Sequence, residues 1–459
     1  IGVNSAFSVT TSPKYPVRGH QIGYRPTANT YDAWDLDTFE QYYRDLILFG
    51  TNAIELIPGG RQGREPNPVM PVDPYTMNLQ LSELLDSYGL DVWLWLAVGE
   101  DLSQPAAADA AVEKYKQLFA DMKRIDAVFV PGGDGGHHHP KDLMPWLPRL
   151  HEVLQATHPN ATLWVSHQAW EEDGLDYFFD YLQQEQPKWL AGVVHGPWTR
   201  VSIAETRARM PQQYPIRRYD DVSHNVRCQY PIQEWDPAFA LTLGRESVNP
   251  RPNQMRSIHN LYASDTIGFV SYSDGAHDDF NKILWSALGW DPEQSAADIA
   301  VEYARVFFGK DLAEKGGQGL LGLESNLLSP MGEDIDATLA IWREVAAGWK
   351  NKVPNWRLQM YLMRAIYDAK LRKEWHAQQD QERAAIEALA ESGGIAARIE
   401  KARKALNPGA DSAVVAMNEE IMQLGHDLRE SIGYQLSIKP PFQASNAERG
   451  AVLDCLDHP

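Results

Sequence analysis

From Val17 to Trp290 short apolar runs alternate eight times with helix-patterned segments, over about 275 residues. Such alternation is the signature of βα units feeding a parallel sheet. Strands are expected at 17–23 (VRGHQIG), 53–57, 91–97 (DVWLWLA), 127–130 (AVFV), 162–166 (TLWVS), 190–194, 216–219 and 266–272 (TIGFVSY). Helices are expected over 36–49, 77–88, 106–122, 141–157, 175–183, 203–210, 252–262 and 278–288. Eight units are the number that closes a (β/α)8 TIM barrel. No Gly-x-Gly-x-x-Gly follows the first strand, so an open dinucleotide-binding sheet lacks its fingerprint.

After Trp290 the pattern becomes helical, at 296–308, 335–348, 356–379, 382–391 and 412–432. Pro292, Gly316–Gly317, Pro354 and Gly393–Gly394 punctuate these segments and are expected to break them. The reading is a catalytic barrel over 1–292 and an α-helical C-terminal domain over 293–459 that ends in an irregular tail. A chain of 459 residues has room for both.

The charge balance of −20 argues against nucleic acid, whose phosphates are met by Lys and Arg. No apolar run approaches the roughly 20 residues that span a bilayer, so no membrane partner is expected. Cys228 and Cys455 make neither a disulfide framework nor a Cys-x-x-Cys metal motif. The chain opens at Ile1 rather than Met, which leaves processing and an upstream segment both open. A helical domain with exposed aromatics is compatible with a homodimer.

In a parallel barrel the strand C-termini converge on one face, where this fold does its chemistry. Histidines and carboxylates crowd those positions here. The fourth strand runs into Pro131-Gly132-Gly133-Asp134-Gly135-Gly136-His137-His138-His139. Its glycines permit a sharp turn and close approach of a ligand, and Asp134 with His137 can act as a general acid–base or orienting pair. Consecutive histidines point apart and no His-x-x-x-His accompanies them, so no metal is assigned. The fifth strand supplies His167 and then Glu171 and Glu172. Glu172 can face a fourth-strand aspartate across a sugar, as glycoside hydrolysis needs, although helix N-terminal acids have the same pattern. Beyond the seventh strand stand Asp220, Asp221 and His224. Adjacent acids on an extended chain face opposite ways, so one enters the pocket while the other pairs with an arginine. Candidate sugar-binding groups are His20, Gln21, Tyr24 and Arg25 after the first strand, Trp198 and Arg200 after the sixth, and Tyr272 and Asp274 after the eighth. No Gly-x-Ser-x-Gly elbow or Walker loop is present.

With these residues laid out, the chain resembles the barrel glycosidases that include the β-N-acetylhexosaminidases of families 20 and 84 and the α-glucuronidases. In family 20 a Gly-Gly-Asp-Glu motif ends the fourth strand. The Asp positions the substrate acetamido group and the Glu is the general acid. Gly132-Gly133-Asp134 matches, whereas Gly135 stands in the place of the Glu. Tyr230-Pro231-Ile232-Gln233-Glu234-Trp235-Asp236 resembles the Tyr-Pro-Val-Asn-Asp loop of family 84. A barrel followed by a helical domain is common to families 84 and 67. In pairing Asp134 with His137, the chain is also similar to certain inverting exosialidases on a β/α barrel. Arg25, Arg200, Arg217 and Arg218 would suit the carboxylate of a sialic or uronic acid.

These resemblances imply an exo-acting glycoside hydrolase that removes a terminal acidic or N-acetylated sugar from an oligosaccharide or glycoconjugate. Water is the second substrate and no cofactor is needed. Gly135 also keeps open a carbohydrate-binding protein on a degenerate barrel, and the histidine cluster a metal-dependent hydrolase.

Overall fold

The computed structural model describes residues 8–26, 29–58, 68–222, 247–273, 275–330, 332–333, 335–409, 411–437, 439–442, 444 and 453. Eight parallel strands close a barrel in sequence order: β1 (Val17–Gln21), β2 (Ala53–Leu56), β3 (Asp91–Trp95), β4 (Ala127–Val130), β5 (Thr162–Ser166), β6 (Leu190–His195), β7 (Ile216–Arg218) and β8 (Gly268–Ser271). The ring is shut by β1 against β8, with Val17 opposite Gly268 and His20 opposite Ser271. Around it lie α1 (Leu36–Ile47), α2 (Pro74–Tyr88), α3 (Pro105–Asp121), α4 (Pro140–Thr157), α5 (Glu172–Glu185), α6 (Ile203–Arg209), α7 (Pro252–Ala263) and α8 (Asp279–Trp290). The fold is thus a (β/α)8 TIM barrel followed by C-terminal helices.

Local chemistry fixes the helix starts. Asp35 caps α1 by accepting from the Thr38 amide at 2.9 Å. Asp73 caps α2, whose first residue is Pro74, and Gly89 ends it in the left-handed region at φ 68°. His139 caps α4 by accepting from the Lys141 amide at 3.1 Å.

Side chains at alternate strand positions fill the barrel with Ala53, Trp93, Ala127, Phe129, Trp164, Val194, Tyr219, Val270 and Tyr272. Within this apolar filling lies an ion pair. Arg217 Nη1 meets Glu55 Oε2 at 2.6 Å, and neither side chain has any exposure. Gln21 Nε2 donates to Glu55 Oε1 at 2.8 Å, and the Tyr219 hydroxyl to Gln21 Oε1 at 3.0 Å. The guanidinium sits 4.6 Å from the Trp93 ring centroid and 4.9 Å from that of Phe129.

By contact density the chain divides into two compact units. One comprises Ile1–Val222, Gln254–Ser273 and Asp279–Ser295; the other comprises Ser223–Asn253, Asp274–Asp278 and Ala296–Pro459. The second unit contains α9 (Ala296–Phe307), α10 (Ala313–Leu328), α11 (Asp336–Gly348), α12 (Trp356–Ala390), α13 (Ile395–Leu406) and α14 (Ser412–Ile432). Two sequence expectations change here. Gly316–Gly317 lies inside α10 rather than breaking a helix, because α9 passes so close that a Cβ on Gly317 would stand 2.7 Å from Val301 Cγ2. Segments 356–379 and 382–391 are parts of the single helix α12. No helix among the described residues is long and apolar enough to cross a membrane.

Candidate functional site

The β4 exit loop is held from two sides. On the β5 side, the Gly132 amide donates to Ser166 Oγ at 3.2 Å and the Gly133 amide to the Gln168 carbonyl at 2.8 Å. On the β3 side, Gly135 lies against Ala97 and the Trp95 ring, and Gly136 against the Val98 carbonyl. A Cβ at Gly132 would lie 2.4 Å from the Ser166 carbonyl oxygen and at Gly136 2.2 Å from that of Val98, so side chains are excluded. Asp134, half-buried, stands between these two anchorages.

Across the barrel, period-two alternation separates the residues that end β7. Arg217 and Tyr219 face inward, whereas Arg218 faces outward. Asp220 turns to Arg218, with Oδ2 2.8 Å from Nε. Asp221 is buried beside Tyr272, with which it forms a parallel bridge. Arg25, after β1, donates from Nη2 to the Tyr272 hydroxyl at 2.8 Å. The buried Tyr219 hydroxyl ties these groups together. Burial pushes its pKa well above the usual tyrosine value; the charges of Glu55, Asp134 and Asp221 push the same way and Arg25 opposes them. The charges of Asp134, after β4, of Asp221, after β7, and of Arg25, after β1, thus all act on the Tyr219 hydroxyl, which donates to Gln21.

Other candidates lie elsewhere. His20 sits between sheet and helices, with Nδ1 2.8 Å from Ser271 Oγ and Nε2 2.8 Å from Ser286 Oγ. His167 packs outside the barrel on Phe178, Phe179 and His195, with Nε2 3.1 Å from Thr206 Oγ1, and burial lowers its pKa to about 3. Tyr24 is buried and donates to the Val72 carbonyl, in the loop before α2, at 2.6 Å. Glu172 is exposed in the first turn of α5. Arg200 pairs with Glu171 at the surface. Trp198 is half exposed at φ 66°, and its carbonyl accepts from the Ala169 amide. Gln21 belongs to the Glu55 network. His224, Asp274 and the segment 230–236 lie outside the described residues.

The three histidines diverge. His137 is exposed at φ 55°, His138 Nε2 meets the Val98 carbonyl at 2.8 Å, and His139 caps α4. Among the described residues no group of His, Cys, Asp and Glu is arranged to hold a metal ion. Of the four arginines considered for a carboxylate, Arg25 reaches the mouth; Arg217 is committed to Glu55, Arg218 to Asp220 and Arg200 to Glu171.

Sequence reading passed over Trp95, Gln168, Tyr219 and Glu55. Glu55 had a visible signal, an acid inside the apolar run Ala53–Leu56. Trp95 Nε1 and Gln168 Nε2 are both buried without a hydrogen-bond partner among the described residues.

No protein-family model and no curated protein matches the sequence. Among solved structures, the fold is similar to a mutant form of the Thermobaculum terrenum O-GlcNAc hydrolase, with TM-score 0.50 and 12% identity over 94% of this chain and 100% of that one. Dispersin B matches with TM-score 0.37 and 10% identity over 60% of this chain and 98% of its own. A glycoside hydrolase family 5 enzyme from Prevotella bryantii B14 matches with TM-score 0.37 and 12% identity over 62% of this chain and 100% of its own. At such identities the likeness is one of fold, and the chain is distantly similar in structure to TIM-barrel glycoside hydrolases.

Proposed function

We propose that the protein is an exo-acting glycoside hydrolase that removes a terminal acidic or N-acetylated sugar. The observation that carries this reading is the placing of Asp134 on the tightly held β4 exit loop and of Asp221 and Arg25 against Tyr272, all at the strand C-termini. Hydrolysis of a glycosidic bond needs a proton delivered to the leaving oxygen and a water activated at the anomeric carbon, a task for two carboxyl groups. Asp134 and Asp221, which follow β4 and β7, three strands apart in the ring, take these two roles. Arg25 meets a carboxylate or acyl oxygen of the sugar, and the half-exposed Trp198 offers a ring face at the rim. His137 stands within a turn of Asp134 and orients it or its water. The architectural likeness to glycoside hydrolases supports the reaction class.

The test is fluorophore release from aryl glycosides of sialic, glucuronic and galacturonic acids and of N-acetylhexosamines, with wild type and Asp134→Asn side by side. Turnover of one member that falls below a tenth in the variant is the expected result. An Asp134→Asn enzyme that keeps more than a tenth of turnover refutes the assignment. A second reading, sugar binding without turnover, is favoured by Gly135 in the place of an acid; binding that Asp134→Asn leaves unchanged would select it.

A further inference from the structure

Gln168 lies two residues beyond β5 and its side chain is fully buried. Its Oε1 accepts from Ser166 Oγ at 2.9 Å, and Ser166 Oγ itself accepts the Gly132 amide at 3.2 Å. A hydroxyl that already receives an N–H directs its own proton elsewhere. The amide oxygen therefore faces Ser166, and the amide NH2 points the opposite way. That NH2 has no acceptor among the described residues. It lies beside Gly196, where a Cβ would stand 3.2 Å from Nε2 and 3.0 Å from the Tyr219 ring. The Gln168 carbonyl meanwhile holds Gly133, the residue before Asp134. The amide is thus fixed between the Asp134 loop and Tyr219, its flip set by a hydrogen-bond chain and its donors unused. A buried donor without a partner is unfavourable and calls for an explanation, and at the mouth of a barrel a ligand supplies one. Two other such groups fit less well: His167 Nδ1 belongs to a ring packed outside the barrel, and Arg217 lies beneath the site with Glu55.

We propose that Gln168 is a specificity-setting substrate contact whose Nε2 donates to an acyl oxygen of the bound sugar, an acetamido carbonyl or a carboxylate. This rests on the glycosidase reading above. An NH2 group can only donate, so it favours a pure acceptor atom over a hydroxyl, which can turn to serve either role. A side chain at Gly196 would meet Nε2 and displace the amide.

The experiment measures equilibrium binding of N-acetylglucosamine, N-acetylneuraminic acid, glucuronic acid and glucose by ligand-observed NMR and calorimetry. Wild type, Gln168→Glu and Gln168→Met are compared, with Tm followed for each. Gln168→Glu keeps an acceptor for Ser166 and replaces the NH2 with a carboxylate oxygen; Gln168→Met removes both. The expected result is that wild type binds one or more acyl-bearing sugars and that both variants bind them about tenfold or more weakly at little-changed Tm, Gln168→Glu being the worse. The sugar affected separates the acetamido from the carboxylate case. Affinity within threefold of wild type in either folded variant overturns the inference, since Nε2 then faces only water. Recovery of affinity in Gln168→Glu overturns it as well, because the partner would then be a hydroxyl that donates. Failure of wild type to bind any sugar is a distinct result that defeats the glycosidase reading and this inference with it.

Discussion

Replacing Arg217 with Met tests whether the barrel floor is organised around its buried ion pair. Glu55 and Arg217 have no solvent exposure and meet at 2.6 Å. Burial raises the Glu55 pKa, while the charge and hydrogen bond of Arg217, and then the hydrogen bond from Gln21, oppose the rise. Met conserves much of the chain volume and its thioether packs well against the Trp93 and Phe129 rings, so little cavity is created. What changes is the electrostatics. Stripping one partner from a buried pair costs about 3–5 kcal/mol. At about 2–4 °C per kcal/mol for a unit of this size, the barrel should melt roughly 6–20 °C lower. The cost has a definite pH dependence. A carboxyl whose folded pKa lies above its unfolded value of about 4.3 is not penalised below that pH, and loses about 1.4 kcal/mol per unit as pH climbs towards the folded value. Without Arg217 that folded value rises further, so the gap between variant and wild type should be small at pH 5 and full at pH 8. Thermal unfolding at both pH values, followed by circular dichroism and tryptophan fluorescence, reads it directly. The double variant Glu55→Leu/Arg217→Met removes both charges and should recover most of the loss. An equal gap at pH 5 and pH 8, or a double variant no better than the single one, refutes the reasoning.

Three further outcomes follow from the same structure. His20 is held well below its ordinary pKa by burial, then by Lys282, and burial also takes His167 to about 3 and His259 to about 4. Lowered folded values mean that the unfolded chain protonates first. Their stabilising contribution is complete above about pH 6.5 and is lost as pH falls towards the folded values, at about 1.4 kcal/mol per unit for each group. Tm should therefore fall steadily from pH 6.5 to 4, less steeply in His167→Gln, and a flat profile would contradict this. Arg25→Gln should cut kcat/KM for an acidic sugar by about 10–150-fold, the value of a charge-assisted hydrogen bond, and for a neutral N-acetylated sugar by much less; equal losses on both would remove Arg25 from carboxylate recognition. Gly317→Ala, although a gain of about 1 kcal/mol in helix propensity, forces a methyl to 2.7 Å from Val301. Overpacking of about 1–3 kcal/mol should lower Tm on balance, and a raised Tm would show that α9 can yield.

The barrel was legible because its strands are apolar runs that end sharply: 127–130 and 162–166 occupy the expected residues. The helical unit was less so. Glycine normally marks a weak point in a helix, and only the neighbouring Val301, Ala304 and Phe308 explain why Gly316 and Gly317 are wanted inside one. Helix α13, between Gly394 and Asn407, went unexpected although Ile395, Ile399, Ala402 and Leu406 recur at helical spacing, because the stripe is only twelve residues long and three of these four residues stay exposed. At the mouth, sequence located the strand ends but not the direction of each side chain. A shift of one residue changes the face, and so His20 and His167, adjacent in sequence to inward-facing positions, serve the outer layer. Gln168 and Trp95 carry no sequence mark, since an orphaned donor exists only once its surroundings are known.

The path of the β4 exit loop also limits how this protein can change. At Gly135 the backbone sits at φ 89°, and a Cβ there would be 2.7 Å from Ala97 Cβ. A glutamate at this position would need both a conformation that L-residues rarely adopt and space already occupied. A glutamate after Asp134 therefore cannot be introduced by one substitution; it requires re-routing the loop past both β3 and β5. So long as this loop keeps its course, Asp134 stays the one carboxylate between Pro131 and His139, and engineered forms that need a second must take it from another strand.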